Sequence, residues 1–143
     1  AINEKEHQHV ASLLQIVSDI ERISDYCENI SEYAENLANQ KKKFSGVGAA
    51  EMKEMLEVCS DSFTYAVEAF EENSAEKALK VIEKERSADD LEIRLRADHM
   101  QRLANKQCDT EAGIVFLDAL VGLERISDHS RNIAEEVLSA SNK

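Results

Sequence analysis

Glu21-Arg22-Ile23-Ser24-Asp25 and Glu124-Arg125-Ile126-Ser127-Asp128 carry the same five residues near opposite ends of the chain. The match continues outward: Asn29, Ile30 and Glu32 correspond to Asn132, Ile133 and Glu135, so eight of the thirteen aligned positions from Ile20 to Glu32 are identical. Neither copy contains Gly or Pro. Val10, Leu13, Leu14, Val17 and Ile20 lead into the first at three- and four-residue spacing, the period of a helix with one apolar face. Ile114 to Leu123 leads into the second and is apolar on almost every side, which suits a centrally buried helix. Two equivalent helices at the ends of 143 residues imply a duplicated helical unit. A repeat seen once, at so long a separation, is not a solenoid period.

Two further helices fit between them. Met52, Met55, Leu56, Cys59, Phe63, Ala66, Val67 and Phe70 form one stripe, and Ala75, Ala78 and Ile82 begin another. The expected helices cover about residues 4–43, 49–72, 74–105 and 110–139, with Ser45-Gly46-Val47-Gly48 as the first break. Lys41-Lys42-Lys43 falls where a helix C-terminus favours cations. Asn73 is the expected cap of the third helix, with Glu76 completing a capping box, and Asp109 caps the fourth. Short connections make successive helices antiparallel neighbours. The expected fold is all-α, an antiparallel up-down bundle of four long helices.

Composition agrees. There is no Pro and no Trp, four Gly, and only four Phe and three Tyr, too few aromatics for a β-sandwich core. The net charge of −12 turns phosphate backbones away, which excludes nucleic acid and favours cations or basic protein surfaces. Cys27, Cys59 and Cys108 show no CxxC spacing, as expected of free thiols in a reducing cytoplasm. The N-terminus is acidic and polar, unlike a signal peptide, and Gly113 to Leu123 is too short to cross a bilayer. The first residue is not Met, so a piece of a longer protein is an open reading.

The acidic residues carry the chemistry. Side chains four apart share a helix face at about 6 Å. Glu21 with Asp25, Glu124 with Asp128, and Glu85 with Asp89 are three such pairs. Each continues an apolar stripe: Glu124 follows Leu117 by two turns, Glu21 follows Leu14 likewise, and on the third helix Glu85, Asp89, Glu92, Arg96 and His99 follow Ile82. Carboxylates near an interior need compensation from a metal, from Arg96 or from water. Oxygen donors of this kind suit Mg²⁺, Ca²⁺, Mn²⁺ or oxo-bridged iron, and spacing does not choose among them. The competing reading is an ordinary solvated acidic face.

Histidine adds less. Glu4 with His7, and Glu6 with His9, give overlapping Glu-x-x-His at a helix start, without the second copy that a di-iron carboxylate bundle needs. His129 points about 100° from Asp128. His99 lies on the mixed stripe, where it could bond a carboxylate or join a metal, and a salt-bridged structural role is the preferred reading. No phosphate loop, nucleophile elbow or Cys/His dyad is present, so no catalytic residue is assigned.

Asp19 to Ile30 and Leu123 to Glu135 resemble the signature that ends each repeat of the PhoU family. Val81-Ile82-Glu83-Lys84-Glu85 leading to Asp89-Asp90-Leu91-Glu92 resembles the acidic middle helix of such a repeat. Cys108 to Asp118 is similar to the approach to the last helix in the PhoU-like C-terminal domain of bacterial sodium/phosphate (Na/Pi) cotransporters. The family's usual form has two three-helix repeats. This chain departs from it, with residues 1–44 as the last helix of a truncated first repeat and 49–140 as a complete second one.

The resemblance implies a metal-binding regulatory domain in phosphate transport, not an enzyme. The implied metal ligands are Glu21, Asp25, Glu124 and Asp128, with Glu85 and Asp89 from the middle helix. Asn29, Asn132, Glu92, His99 and His129 form a second tier. The metal (iron, Mg, Mn, Ca or Zn) is not specified. Implied partners are the transmembrane transporter portion of the same chain or a phosphate-uptake complex, with self-association open, at the cytoplasmic face of the membrane. The rivals are a metal-free interaction module, a free-standing regulator of phosphate uptake signalling and, last, a di-iron enzyme.

Overall fold

Four caps set the helix starts. The computed structural model describes residues 3–141. Asn3 opens α1 (Glu4–Asn39) through a reciprocal capping box with Glu6. This uses Glu6 as a structural acid at the helix start and leaves the Glu-x-x-His pattern on an exposed turn. Ser45 caps α2 (Gly46–Glu72) by accepting from the Gly48 N–H at 3.1 Å. Ser74 caps α3 (Ala75–Ala104) through the Lys77 N–H at 3.2 Å. Asp109 accepts from the Ala112 N–H at 2.9 Å ahead of α4 (Thr110–Ser141), as expected.

Two expectations at these ends change. Asn73 closes α2 in the left-handed conformation (φ 52°, ψ 46°), so the cap of α3 falls to Ser74. Asn tolerates that conformation better than most residues, and Ser is an equally good N-cap. The lysine triplet lies beyond α1, not in its last turn. Lys42 reaches the start of α4 instead, 3.4 Å from Asp109 and 3.1 Å from Glu111.

The all-α bundle is as expected, but its centre is one helix. α4 packs against each of the other three, α2 and α3 pack on each other, and α1 packs on α4 alone. The expected contact between α1 and α2 is therefore not made. The link after α1 carries Phe44 across the N-terminal end of α4, where its ring meets Phe116 edge-on at 5.4 Å, and α2 starts on the far side. α1 runs antiparallel to α4: Ser12 bonds Glu136 near one end and Lys42 pairs with Asp109 at the other. α2 runs parallel to α4, with Gly48 beside Phe116 and the Cys59 thiol donating to the Leu123 carbonyl at 3.3 Å.

The hub role of α4 explains its near-uniform apolarity. Phe116, Leu120, Leu123, Ile133 and Val137 are all buried, facing Met55, Cys59 and Ala66 of α2 and Val81, Leu91 and Leu95 of α3. Each such side chain contributes roughly 1.5–3 kcal/mol on leaving water. α1 buries Ile16 and Ile23 against α4 but leaves Val10, Leu14 and Val17 exposed, Leu14 by 66%. Its buried line is thus 16, 19, 23, a third of a turn or more from the stripe that stands out in the sequence. No helix among the described residues is long and apolar enough to cross a membrane.

Candidate metal centre

α3 and α4 run antiparallel, so the middle of α3 meets the second half of α4. Glu85 and Asp89, one turn apart on α3, come opposite Asp128, one turn past Glu124 on α4. Ligand oxygens of Glu85, Asp89 and Asp128 lie within 4.8 Å of one another. Glu85 is only 5% exposed, because it occupies the buried stripe of α3 between Val81 and Ala88. Asp89, Glu124 and Asp128 are half-buried.

Electrostatics show how crowded this seam is. Burial, then the hydrogen bond and charge of Glu85, push the Asp89 carboxyl up to about 6. Burial, then the hydrogen bond and charge of Asp128, push Glu124 up to about 7. Burial likewise raises Asp128, although its hydrogen bond with Glu124 works against the rise. Carboxyls this close share protons because they cannot all ionise at low cost.

Arg131 is the cation of the seam. Its Nη1 donates to Glu85 at 2.7 Å and its Nε to Glu135 at 2.9 Å. Sequence reading missed it, although 124, 128, 131 and 135 form one helical line. Arg96, expected to compensate the acids, pairs within its own helix with Glu92, Nε to carboxylate at 2.7 Å. Glu92 is thereby tied to Arg96 beside the cluster.

The other expected ligands stand elsewhere. Glu21 and Asp25 are exposed on α1, on the side turned from α4, and no second helix brings acids to them among the described residues. Asn29 is exposed near Tyr33 and Asp118. His129 and Asn132 point to α1: His129 Nδ1 is 2.9 Å and Asn132 Nδ2 3.2 Å from Oδ1 of Asp19, a carboxylate only 2% exposed. Asp19 went unnoticed in the sequence, although it lies between Ile16 and Ile23 on one line. His99 is buried ten residues beyond Asp89, with Nε2 2.9 Å from the Gly113 carbonyl and its ring stacked on Phe116 at 4.2 Å. Its two ring nitrogens thus meet that carbonyl and Arg102, whose Nη2 is 3.3 Å from Nδ1, and no carboxylate.

The donor set fits a hard cation. It is all oxygen, it offers acids from two helices, and most of its repulsion is unrelieved by Arg131. Cys59 lies close enough for Glu124 and Asp128 to act on it; burial and those charges push its thiol up to about 12, and it donates to the Leu123 carbonyl at 3.3 Å rather than turning to the carboxylates.

Known proteins share this arrangement of helices. A family model described as the PhoU domain matches residues 2–34 and 52–137. The phosphate-specific transport system accessory protein PhoU homolog 1 of Thermotoga maritima is 29% identical, over 94% of this chain and 57% of its own length. The crystal structure of PhoU from Pseudomonas aeruginosa superposes with a TM-score of 0.90 at 24% identity, covering 99% of this chain and 66% of that one. The chain thus spans less than two thirds of either relative.

Proposed function

The chain belongs to the PhoU family, and from that premise we propose that it is a regulatory domain of phosphate transport whose α3–α4 seam binds a hard cation. The observation that carries the reading is the meeting of Glu85, Asp89 and Asp128 within 4.8 Å, beside a Glu124 that holds its proton up to about 7. Glu85, Asp89, Glu124 and Asp128 would hold the cation. A bound Mg²⁺, Ca²⁺, Mn²⁺ or iron centre would supply charge that offsets the repulsion among them. Arg131 already neutralises Glu85 and fixes that carboxylate across the seam. The residues of the seam therefore act as a clamp between two helices, not as a catalytic set.

The setting follows the relatives. One of them is named an accessory protein of a phosphate-specific transport system. We assign this chain the same kind of role, at the cytoplasmic face of the membrane, with a phosphate-uptake complex or a transporter portion as partner. α1 is read as the counterpart of α4 in a duplicated unit, which the shared signature supports. Attachment to a sodium/phosphate cotransporter rests on the resemblance of Cys108 to Asp118. A free-standing regulator fits the same relatives, and upstream coding sequence with or without membrane spans distinguishes the two.

Elemental analysis of protein purified without chelators, followed by calorimetric titration with Mn²⁺ and Mg²⁺, tests the seam. Glu124→Ala/Asp128→Ala should lose bound metal while keeping its helical circular dichroism, and Glu21→Ala/Asp25→Ala should keep its metal. Unchanged metal content in the first variant would overturn the assignment.

A further inference from the structure

Arg131 lies between two acids. Its Nη1 donates to Glu85 Oε2 at 2.7 Å, across to α3, and its Nε to Glu135 Oε1 at 2.9 Å, one turn along its own helix. The acids differ in freedom. Glu85 is fixed in the buried stripe of α3, whereas the Glu135 side chain is 52% exposed. Neighbouring guanidiniums are engaged elsewhere: Arg94 with Glu54 of α2 and Arg96 with Glu92. Arg125 is exposed and points about 100° from Glu124 round α4. Among the described residues, Arg131 is thus the arginine bonded to the cluster of Glu85, Asp89 and Asp128.

That guanidinium stands beside the place a metal would take. The oxygens of the three acids lie within 4.8 Å of one another, and a hard cation takes carboxylate oxygens at about 2.0–2.6 Å. Glu85 would then serve two positive partners on one carboxylate. Like charges so close repel, and a partly buried site screens them little. Arg131 is the partner able to yield, because its side chain is 35% exposed and keeps a second acid when it lets go.

Taking the seam as the cation site proposed above, we propose that Arg131 is a tethered competitor for Glu85, and that Glu135 is the acid that retains its guanidinium when metal holds Glu85. Glu135 is thereby a positioning residue, since it acts through Arg131 and not on the metal. The competitor is part of the chain and cannot be diluted away, whereas the metal can. Glu85 therefore stays paired at low cation concentration and passes to the metal only above a threshold that Arg131 and Glu135 set together.

Calorimetric titration of Mn²⁺ into the chelator-treated chain, with circular dichroism as the check of fold, reads that threshold. Arg131→Gln keeps an amide opposite Glu85 but no charge. It should bind Mn²⁺ roughly tenfold tighter or more, the effect of a unit charge at about 4–6 Å on proton binding. Arg131→Lys keeps the charge and should stay near the parent. Glu135→Gln leaves the guanidinium to Glu85 alone and should weaken binding. Adding Glu135→Gln to Arg131→Gln should then change little, because an effect routed through the arginine vanishes with it. A direct effect of the Glu135 charge, about 10 Å along α4 from Asp128, would persist.

Binding by Arg131→Gln no tighter than that of a parent that takes up Mn²⁺ would overturn the competition and leave the cation site standing. Absence of Mn²⁺ uptake from both the parent and Arg131→Gln would overturn the site itself and the proposal with it. Should Arg131→Gln fail to fold, Glu135→Gln, which leaves the buried pair intact, decides by its sign: equal or tighter binding would contradict the exchange.

Discussion

Arg131 of α4 and Glu85 of α3 are joined at 2.7 Å across the acidic seam, and the arginine is the half-exposed partner of a carboxylate that is almost fully buried. The pair fastens the two helices at the one place where their facing side chains, the cluster of carboxylates, repel.

Removing the arginine exposes that repulsion. Arg131→Gln should lower stability by about 1–3 kcal/mol in chelator, since a buried carboxylate loses its partner. Added Mn²⁺ should restore part of the loss. Urea unfolding with and without the ion checks both statements; a variant as stable as the parent in chelator would contradict them.

The raised carboxyls give the metal-free protein an unusual pH dependence. Glu124 moves from 4.5 to about 7 on folding, and Asp89 from 3.8 to about 6. The folded state therefore binds protons more tightly than the unfolded one, and stability falls as pH rises through the interval from about 3.8 to 7. Solvent screening of these half-buried groups limits the change to the order of 1 kcal/mol. Thermal melts in chelator should show the decline, Glu124→Gln should flatten it, and saturating Mn²⁺ should remove it by competing with the protons.

Asp19 is the buried charge between α1 and α4. His129→Ala leaves it with Asn132 at 3.2 Å and Gln15 at 3.4 Å, and should destabilise by about 2 kcal/mol. Because α1 packs on α4 alone, amide exchange should quicken chiefly in residues of α1. Uniform acceleration over all four helices would instead mean that α1 and the other three helices unfold as one unit.

Two glycines separate propensity from packing. A Cβ on Gly46 meets nothing within 4 Å, so Gly46→Ala should add about 0.5 kcal/mol through helix propensity. A Cβ on Gly113 would lie 2.5 Å from Leu103 Cδ2 and 3.3 Å from His99 Nε2, so Gly113→Ala should cost about 1–2 kcal/mol as the helices part. Chemical denaturation of the two variants gives the signs directly.

What could be read from residues alone depended on how local each cause is. Helix periodicity and the cap at Asp109 are local, and they were legible. The Asn73–Ser74 junction was not, because both residues cap well and only the left-handed turn at Asn73 decides which helix each serves. The acid pairs of α3 and α4 were legible because each extends an apolar stripe that meets the other. Glu21 and Asp25 have the same sequence as Glu124 and Asp128, yet they stand in solvent, because a pentapeptide does not specify which helix lies opposite. Asp19 was hidden for the same reason: its partners are on the other end of the chain. Arg131 could have been found, being one turn from Asp128 on its line.

Asp128 and His129 are consecutive, yet one side chain belongs to the cluster shared with α3 and the other grips α1 through Asp19. A single peptide bond thus separates the two seams of the molecule. If α4 rolls about its axis to accommodate a cation on one flank, the imidazole about 100° further round must travel with it, and the hold on α1 is altered in the same motion. α4 is in this sense a shaft with two cogs, and whatever turns it at the acidic seam is delivered to the outermost helix through the shaft itself.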